Sequence, residues 1–214
     1  MLRRHFIPAA IAAAFLGPSF AQTSPGKPGP QRTILVVGDS LSAEYGLKRG
    51  SGWVALLEQR LAKENIAATV RNASISGDTT SGGRSRLPAL LKTVNPTVVV
   101  IELGGNDALR GLPLAGTQDN LAAMTKAAQA AGAKVLLVGM QIPPNYGADY
   151  AKRFSAAFDA VARANKAALV PFFLKGVGDG ADPTAMFQAD RIHPKEEAHP
   201  VMLDNVWPQL KKLL

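Results

Sequence analysis

Five short apolar runs, each followed by a stretch with helical spacing, leave this chain little choice of fold. The clearest run is Thr97-Val98-Val99-Val100-Ile101-Glu102-Leu103, β-branched through its middle and too apolar to present a face to water. Ile34 to Val37, Ala67 to Ala73, Lys134 to Gly139 and Ala168 to Phe172 have the same character. Between them, Trp53, Leu56, Leu57 and Leu61 recur at helical spacing and predict a helix reaching about Asn65. Leu87, Leu90 and Leu91 close a second helix before Asn95-Pro96, and Leu121 to Ala131 form a third, ended by Gly132. Phe154, Phe158 and Val161 mark the next, and a last helix is expected from near Glu196, with Pro208 kinking it or stopping it early. No hairpin signal separates the strands. The pattern therefore predicts an α/β fold: a three-layer α/β/α sandwich around a five-stranded parallel sheet, flavodoxin-like in its winding.

Residues 1–21 do not belong to that sandwich. Arg3 and Arg4 precede an apolar stretch from Phe6 to Phe15, and Ser19-Phe20-Ala21 supplies small residues where a signal peptidase cuts. The expected result is an exported protein, periplasmic or secreted, beginning at Gln22. Residues 22–32, rich in proline and glycine, read as a flexible tether, and residues 33–214 as one domain. The absence of cysteine excludes disulfides, a thiol nucleophile and a thiolate metal site. The formal charge of +8 loses two with Arg3 and Arg4, leaving +6. The cations are scattered and only 6% of residues are aromatic, so nucleic acid is not the expected partner. Weak attraction to an anionic lipid surface or an anionic substrate fits better.

A parallel sheet of this kind gathers its chemistry at the carboxyl ends of its strands. Ser40 follows the first strand, just after Gly38. The second is followed by Asn72-Ala73-Ser74-Ile75-Ser76-Gly77-Asp78, the third by Gly104-Gly105-Asn106-Asp107, and the fifth by Asp190-Arg191-Ile192-His193. Taken singly, each has a plain reading: Ser40 as a turn or cap, Asn106-Asp107 as a turn, Asp190 as a helix-start cap. Together they supply what acyl transfer needs. A serine hydroxyl requires an imidazole to take its proton, and the imidazole requires a carboxylate to orient it. The developing oxyanion requires preorganised donors, worth about 2.7–4 kcal/mol for one such donor. Ser40, His193 and Asp190 are the candidates for the first three roles, with the N–H groups of Ser40 and Gly77 and the Asn106 amide as oxyanion donors. His199 is expected to be an exposed helix residue, with a lesser claim to be the base.

These four blocks resemble those of the SGNH (GDSL) hydrolases. Asn72 to Thr79, Glu102 to Asp107 and Pro143-Pro144-Asn145-Tyr146-Gly147 are most similar to the exported bacterial thioesterase I/arylesterase/lysophospholipase branch. Gly38-Asp39-Ser40-Leu41-Ser42 lacks the closing glycine of the Gly-x-Ser-x-Gly elbow, which argues against the ordinary α/β-hydrolase fold. The resemblance implies a covalent acyl-enzyme on Ser40, with His193 as base and Asp190 as its partner. Ser40, Gly77 and Asn106 then form the oxyanion hole. It also implies no metal and no cofactor, and a small-molecule acyl ester or thioester as substrate. Asp39, Leu109, Ile142, Pro143, Asn145 and Tyr146 are the substrate contacts it suggests. Glu44 and Ala108 stand where relatives have glycine. Glu44 is expected to reshape the entrance or discourage anionic substrates, and Ala108 to stiffen the loop to Pro113. Two other functions share these features: an O-acetyl esterase acting on envelope glycans, and a non-catalytic lipid carrier. A monomer is expected.

Overall fold

The computed structural model describes residues 32–143 and 146–214. The expected signal segment, nearly all of the tether, and Asn145 lie outside the described residues. The strands are β1 (Arg32–Gly38), β2 (Ala68–Asn72), β3 (Val98–Glu102), β4 (Lys134–Val138) and β5 (Ala168–Val170). They form one sheet in the order β2-β1-β3-β4-β5, and every neighbouring pair is parallel. The helices are α1 (Trp53–Lys63), α2 (Thr80–Val94), α3 (Gly105–Leu109), α4 (Leu114–Ala130), α5 (Ala148–Asn165) and α6 (His199–Lys211). Helix α1 packs with α6, while α2 and α5 flank α4. The sandwich and its winding are thus as expected.

The sequence explains the layering. All five residues of β3 are buried, because helices cover both faces of a central parallel strand. The edge strands β2 and β5 are less buried and less apolar. β5 ends earlier than expected because Pro171 has no N–H to continue the ladder. The third helix begins at Leu114 rather than Leu121, just after Pro113. Residues 105–109, expected as loop, form the short α3, and Ala108 is buried in it.

Pro208 does not stop the last helix, which runs on to Lys211. The carbonyl that Pro208 leaves without a helical partner belongs to Asp204, one turn back. Both residues are exposed, so water can satisfy that carbonyl. Among the described residues, no helix is long and apolar enough to cross a membrane.

The winding positions the site. From β1 the chain passes to β2 on one side, then returns to β3 on the other. The carboxyl ends of β1 and β3 therefore flank the crevice where the topology reverses. Gly38 pairs with Glu102 across it. A Cβ on Gly38 would lie 2.7 Å from Ser42 Oγ and 2.8 Å from Glu102 Oε2, so only glycine lets the strand end close on these groups.

Candidate active site

Ser40 sits in the turn after β1, and Asp190 and His193 lie in the segment between β5 and α6. The fold brings these residues together across 153 positions: Ser40 Oγ is 3.0 Å from His193 Nε2. His193 Nδ1 is 2.7 Å from Asp190 Oδ2. Because an ionised carboxylate only accepts, Nδ1 carries the proton and Nε2 is left to accept from the serine hydroxyl.

Asp190 also organises its own loop. Its Oδ1 accepts from the N–H groups of Ile192 (2.9 Å) and His193 (3.0 Å), a tight Asx turn that places Arg191 at φ 58°. The His193 N–H and ring hydrogen bonds, followed by the Ile192 N–H, hold the Asp190 carboxyl down at about 2. The carboxylate is therefore ionised wherever the imidazole can act as a base.

The three expected oxyanion donors differ in their engagement. Neither the Ser40 nor the Gly77 N–H donates to a protein acceptor among the described residues. Gly77 adopts φ 78°, which favours glycine, and its carbonyl accepts from Arg110 Nη2 at 2.7 Å. Both hydrogens of the Asn106 amide are committed, to Asp39 Oδ2 at 2.9 Å and the Asp78 carbonyl at 3.0 Å. An oxyanion would share one of them. The neighbouring Asp107 is buried and anchors the start of α2, accepting from the Thr80 N–H at 2.9 Å.

Asp39, suggested above as a substrate contact, lies instead beneath the site. It is 2% exposed, and its carboxylate accepts from Asn106 and from the Leu41 N–H at 3.0 Å. Its role is to hold Asn106 and the turn around Ser40. Burial raises its carboxyl to about 6, against the lowering effect of those two donors. Deeper still lies Glu102, which sequence reading treated only as a strand residue. Burial, followed by the neighbouring Asp39 charge, pushes its carboxyl well up. Trp53 Nε1–H donates to Ser42 Oγ at 3.0 Å, and the Ser42 hydroxyl donates to Glu102 Oε2 at 2.7 Å. This chain ties the first helix and the third strand to the loop that carries the nucleophile.

Other residues depart from expectation or were missed. His199 is not exposed: it is 1% exposed, and its Nδ1 accepts the Trp53 N–H at 3.0 Å. It thus caps α1, whose N-cap residue Gly52 has no side chain to do so. Burial lowers its pKa and keeps it neutral, and it does not belong to the Ser40 cluster. Glu44 adopts φ 59°, the left-handed region that favours glycine. Its carboxylate turns back onto the N–H groups of Gly50 (3.0 Å) and Gly52 (2.8 Å), so it organises the following loop instead of standing free at the entrance. Tyr45 stacks on His193, with ring centroids 4.2 Å apart and planes 36° tilted. Gln188 secures this pairing: its Nε2 donates to the carbonyls of Tyr45 (3.0 Å) and Pro194 (3.1 Å). A lone tyrosine offers no sequence signal for that contact.

Of the suggested substrate contacts, Leu109, at the end of α3, and Tyr146, after β4, are exposed, Pro143 is exposed, and Ile142 is partly buried against the core.

Comparison with known proteins agrees with this geometry. Residues 36–201 match the model of the GDSL-like lipase/acylhydrolase family. The chain is 58% identical over 183 residues to esterase TesA of Pseudomonas aeruginosa, covering 86% of this chain and 90% of that protein. It is 41% identical over 182 residues to thioesterase 1/protease 1/lysophospholipase L1 of Escherichia coli, covering 85% of each. A crystal structure of TesA superposes with a TM-score of 0.82 at 58% identity, over 86% of this chain and all of that one (100%). With such a match spanning most of its length, the chain belongs to the GDSL-like lipase/acylhydrolase family and is a hydrolase of the esterase and thioesterase kind.

Proposed function

We propose that the protein is an exported serine hydrolase that cleaves acyl esters and thioesters through an acyl-enzyme on Ser40. The observation that carries this reading is the unbroken series Ser40–His193–Asp190, at 3.0 Å and 2.7 Å. His193 Nε2 takes the hydroxyl proton as Ser40 Oγ attacks the acyl carbon. The carbonyl oxygen gains the negative charge and is met by the N–H groups of Ser40 and Gly77 and by the shared Asn106 amide. The imidazolium, held by the Asp190 carboxylate, then protonates the departing alcohol or thiol. Water repeats the sequence on the acyl-enzyme: His193 takes its proton, the acid leaves, and Ser40 recovers its hydrogen. No residue in the scheme requires a metal or cofactor.

Aryl esters, medium-chain acyl esters, acyl-CoA and lysophospholipids are the proposed substrate range. The names of the relatives and the apolar side chains of Leu109, Ile142 and Tyr146 near the site support it. Export with cleavage near Ala21 completes the reading. The test is hydrolysis of a nitrophenyl ester of a medium-chain acid by wild type and Ser40→Ala. Turnover by wild type and a loss of at least about 10⁴-fold in the variant are expected. Equal rates would return Ser40 to the status of a turn residue.

A further inference from the structure

Among the described residues, the exposed large hydrophobic side chains are Tyr45, Ile75, Leu109, Tyr146 and Ile192, each between 42% and 53% exposed. Their positions are not scattered. They fall one apiece in the five segments that follow β1, β2, β3, β4 and β5. All therefore stand at the carboxyl edge of the sheet, around the mouth of the site, and none stands at the amino edge. Contacts link four of these segments along the rim. Tyr45 touches His193, next to Ile192. The Ile75 N–H donates to Gly38 O at 3.0 Å, and Arg110, next to Leu109, holds the Gly77 carbonyl. Isolated exposed apolar residues need no explanation, but five gathered at one pole do.

The exposed charge on this pole is mostly positive. Lys48, Arg49, Arg110 and Arg191 are exposed, lie near the apolar residues, and pair with no carboxylate among the described residues. Of the acids around the mouth, Glu44 is engaged by backbone N–H groups, Asp78 by Arg86 at 2.8 Å and Asp190 by His193, which leaves the exposed Asp149 and Glu196 against these four cations. Asp179 and Asp182, farther along the last loop, accept from the N–H groups of Gly176 and Thr184. An apolar rim interleaved with unpaired cations is the arrangement that seats a protein on an anionic bilayer. The apolar side chains enter the headgroup region while lysine and arginine meet phosphate.

We propose that the carboxyl-edge rim is a docking surface for anionic phospholipid membranes, which sets the mouth of the Ser40 site against the lipid. The functional consequence rests on the ester-hydrolase reading: acyl chains would pass from the bilayer to Ser40 without crossing water. The described strands and helices all lie within residues 32–214, so the chain from Gln22 keeps every one of them and is the form to test.

Co-sedimentation with phosphatidylcholine vesicles, with and without phosphatidylglycerol, provides the measurement. Binding is expected with phosphatidylglycerol, weakening as salt is raised. Lys48→Gln with Arg49→Gln should weaken it about fivefold for each cation removed. Ile75→Ser should weaken it further, and both variants should hydrolyse a soluble ester at the wild-type rate. Lys63→Gln with Lys166→Gln removes two exposed cations where α1 and α5 end, at the amino edge, and should leave binding unchanged. No binding, equal binding to both vesicles, or an equal loss in the amino-edge variant would overturn the proposal. Ser40→Ala should bind vesicles like wild type. If it also hydrolyses the soluble ester like wild type, the hydrolase reading fails instead, whatever the vesicles show.

Discussion

The two loops that meet at the site are built in opposite ways. The nucleophile loop, Gly38 to Ser42, is set into the core. Beneath it Asp39 and Glu102 are buried, and Trp53 and Ser42 fasten it to the first helix and third strand. The histidine loop, Gln188 to Pro194, is a surface segment whose order is local. Asp190 closes an Asx turn under His193, Tyr45 covers the imidazole, and Gln188 joins the two. The nucleophile is thus held by groups kept from water, and the base by groups in contact with it. Position at the first loop depends on the stability of the fold, and at the second on a few hydrogen bonds.

The two histidines of this region offer the sharpest way to break that contrast. His193→Ala should lower kcat by about 10⁴-fold or more while leaving the urea midpoint nearly unmoved. His199→Ala should do the reverse. Loss of a buried ring and of the cap on Trp53 N–H should cost about 2–4 kcal/mol in urea unfolding, with kcat of the folded enzyme retained. If His199→Ala abolished turnover in folded protein, the separation between core support and catalysis would fail.

Glu102 tests the buried side alone. Glu102→Ala removes the acceptor of Ser42 and leaves a cavity, and should cost about 3 kcal/mol by the same unfolding measurement. Glu102→Gln resembles the protonated carboxyl and should cost under about 1 kcal/mol. Equal losses would mean that the carboxyl works as an anion.

Titration separates the loops again. The Asp39 carboxyl is raised to about 6 in the folded protein, so between about pH 4 and 6 the native chain holds a proton that the unfolded chain has released. Its contribution to stability is full below about pH 4 and is lost as pH rises through 6, a change on the order of 2–3 kcal/mol. Buried His199 has the opposite sign: its contribution is present above its ordinary pKa and is lost in acid. Asp190, held at about 2, contributes above about pH 4 and loses that contribution as pH falls toward 2. The stability of wild type minus that of Asp39→Asn isolates the first effect and should fall as pH rises from 4 to 6, the variant gaining on wild type. A difference independent of pH would remove Asp39 from the list of titrating buried groups.

The smallest effect belongs to the exposed side. Tyr45→Phe should leave kcat within about twofold, since the ring contact is kept, whereas Tyr45→Ala should lower kcat by about five- to tenfold. An equal loss in both would assign the role to the hydroxyl.

The sheet was legible in the sequence because central parallel strands must be apolar on both faces, as Val98 to Ile101 are. The candidate site residues were legible because Ser40, Gly77 and Asn106 stand in short blocks soon after strands, and Asp190 and His193 in one just before the last helix. What sequence reading missed was long-range or unsigned. His199 caps a helix 146 residues away, and a histidine near a helix start carries no sign of that partner. Glu102 reads as a strand terminus until the fold sets it against Gly38 and Ser42. Pro208 misled because a proline stops a helix only where the carbonyl it orphans is also denied water. Asp39 misled because adjacency to Ser40 does not say which side of the turn faces the cleft.

The central claim is that Ser40 forms the covalent bond to the substrate. Treatment with a neutral organophosphonate bearing a good leaving group, followed by peptide mass spectrometry, tests it most directly. One phosphonyl group per chain on Ser40, appearing at the rate at which esterase activity is lost, is the predicted result. Complete inactivation with Ser40 unmodified would contradict the account.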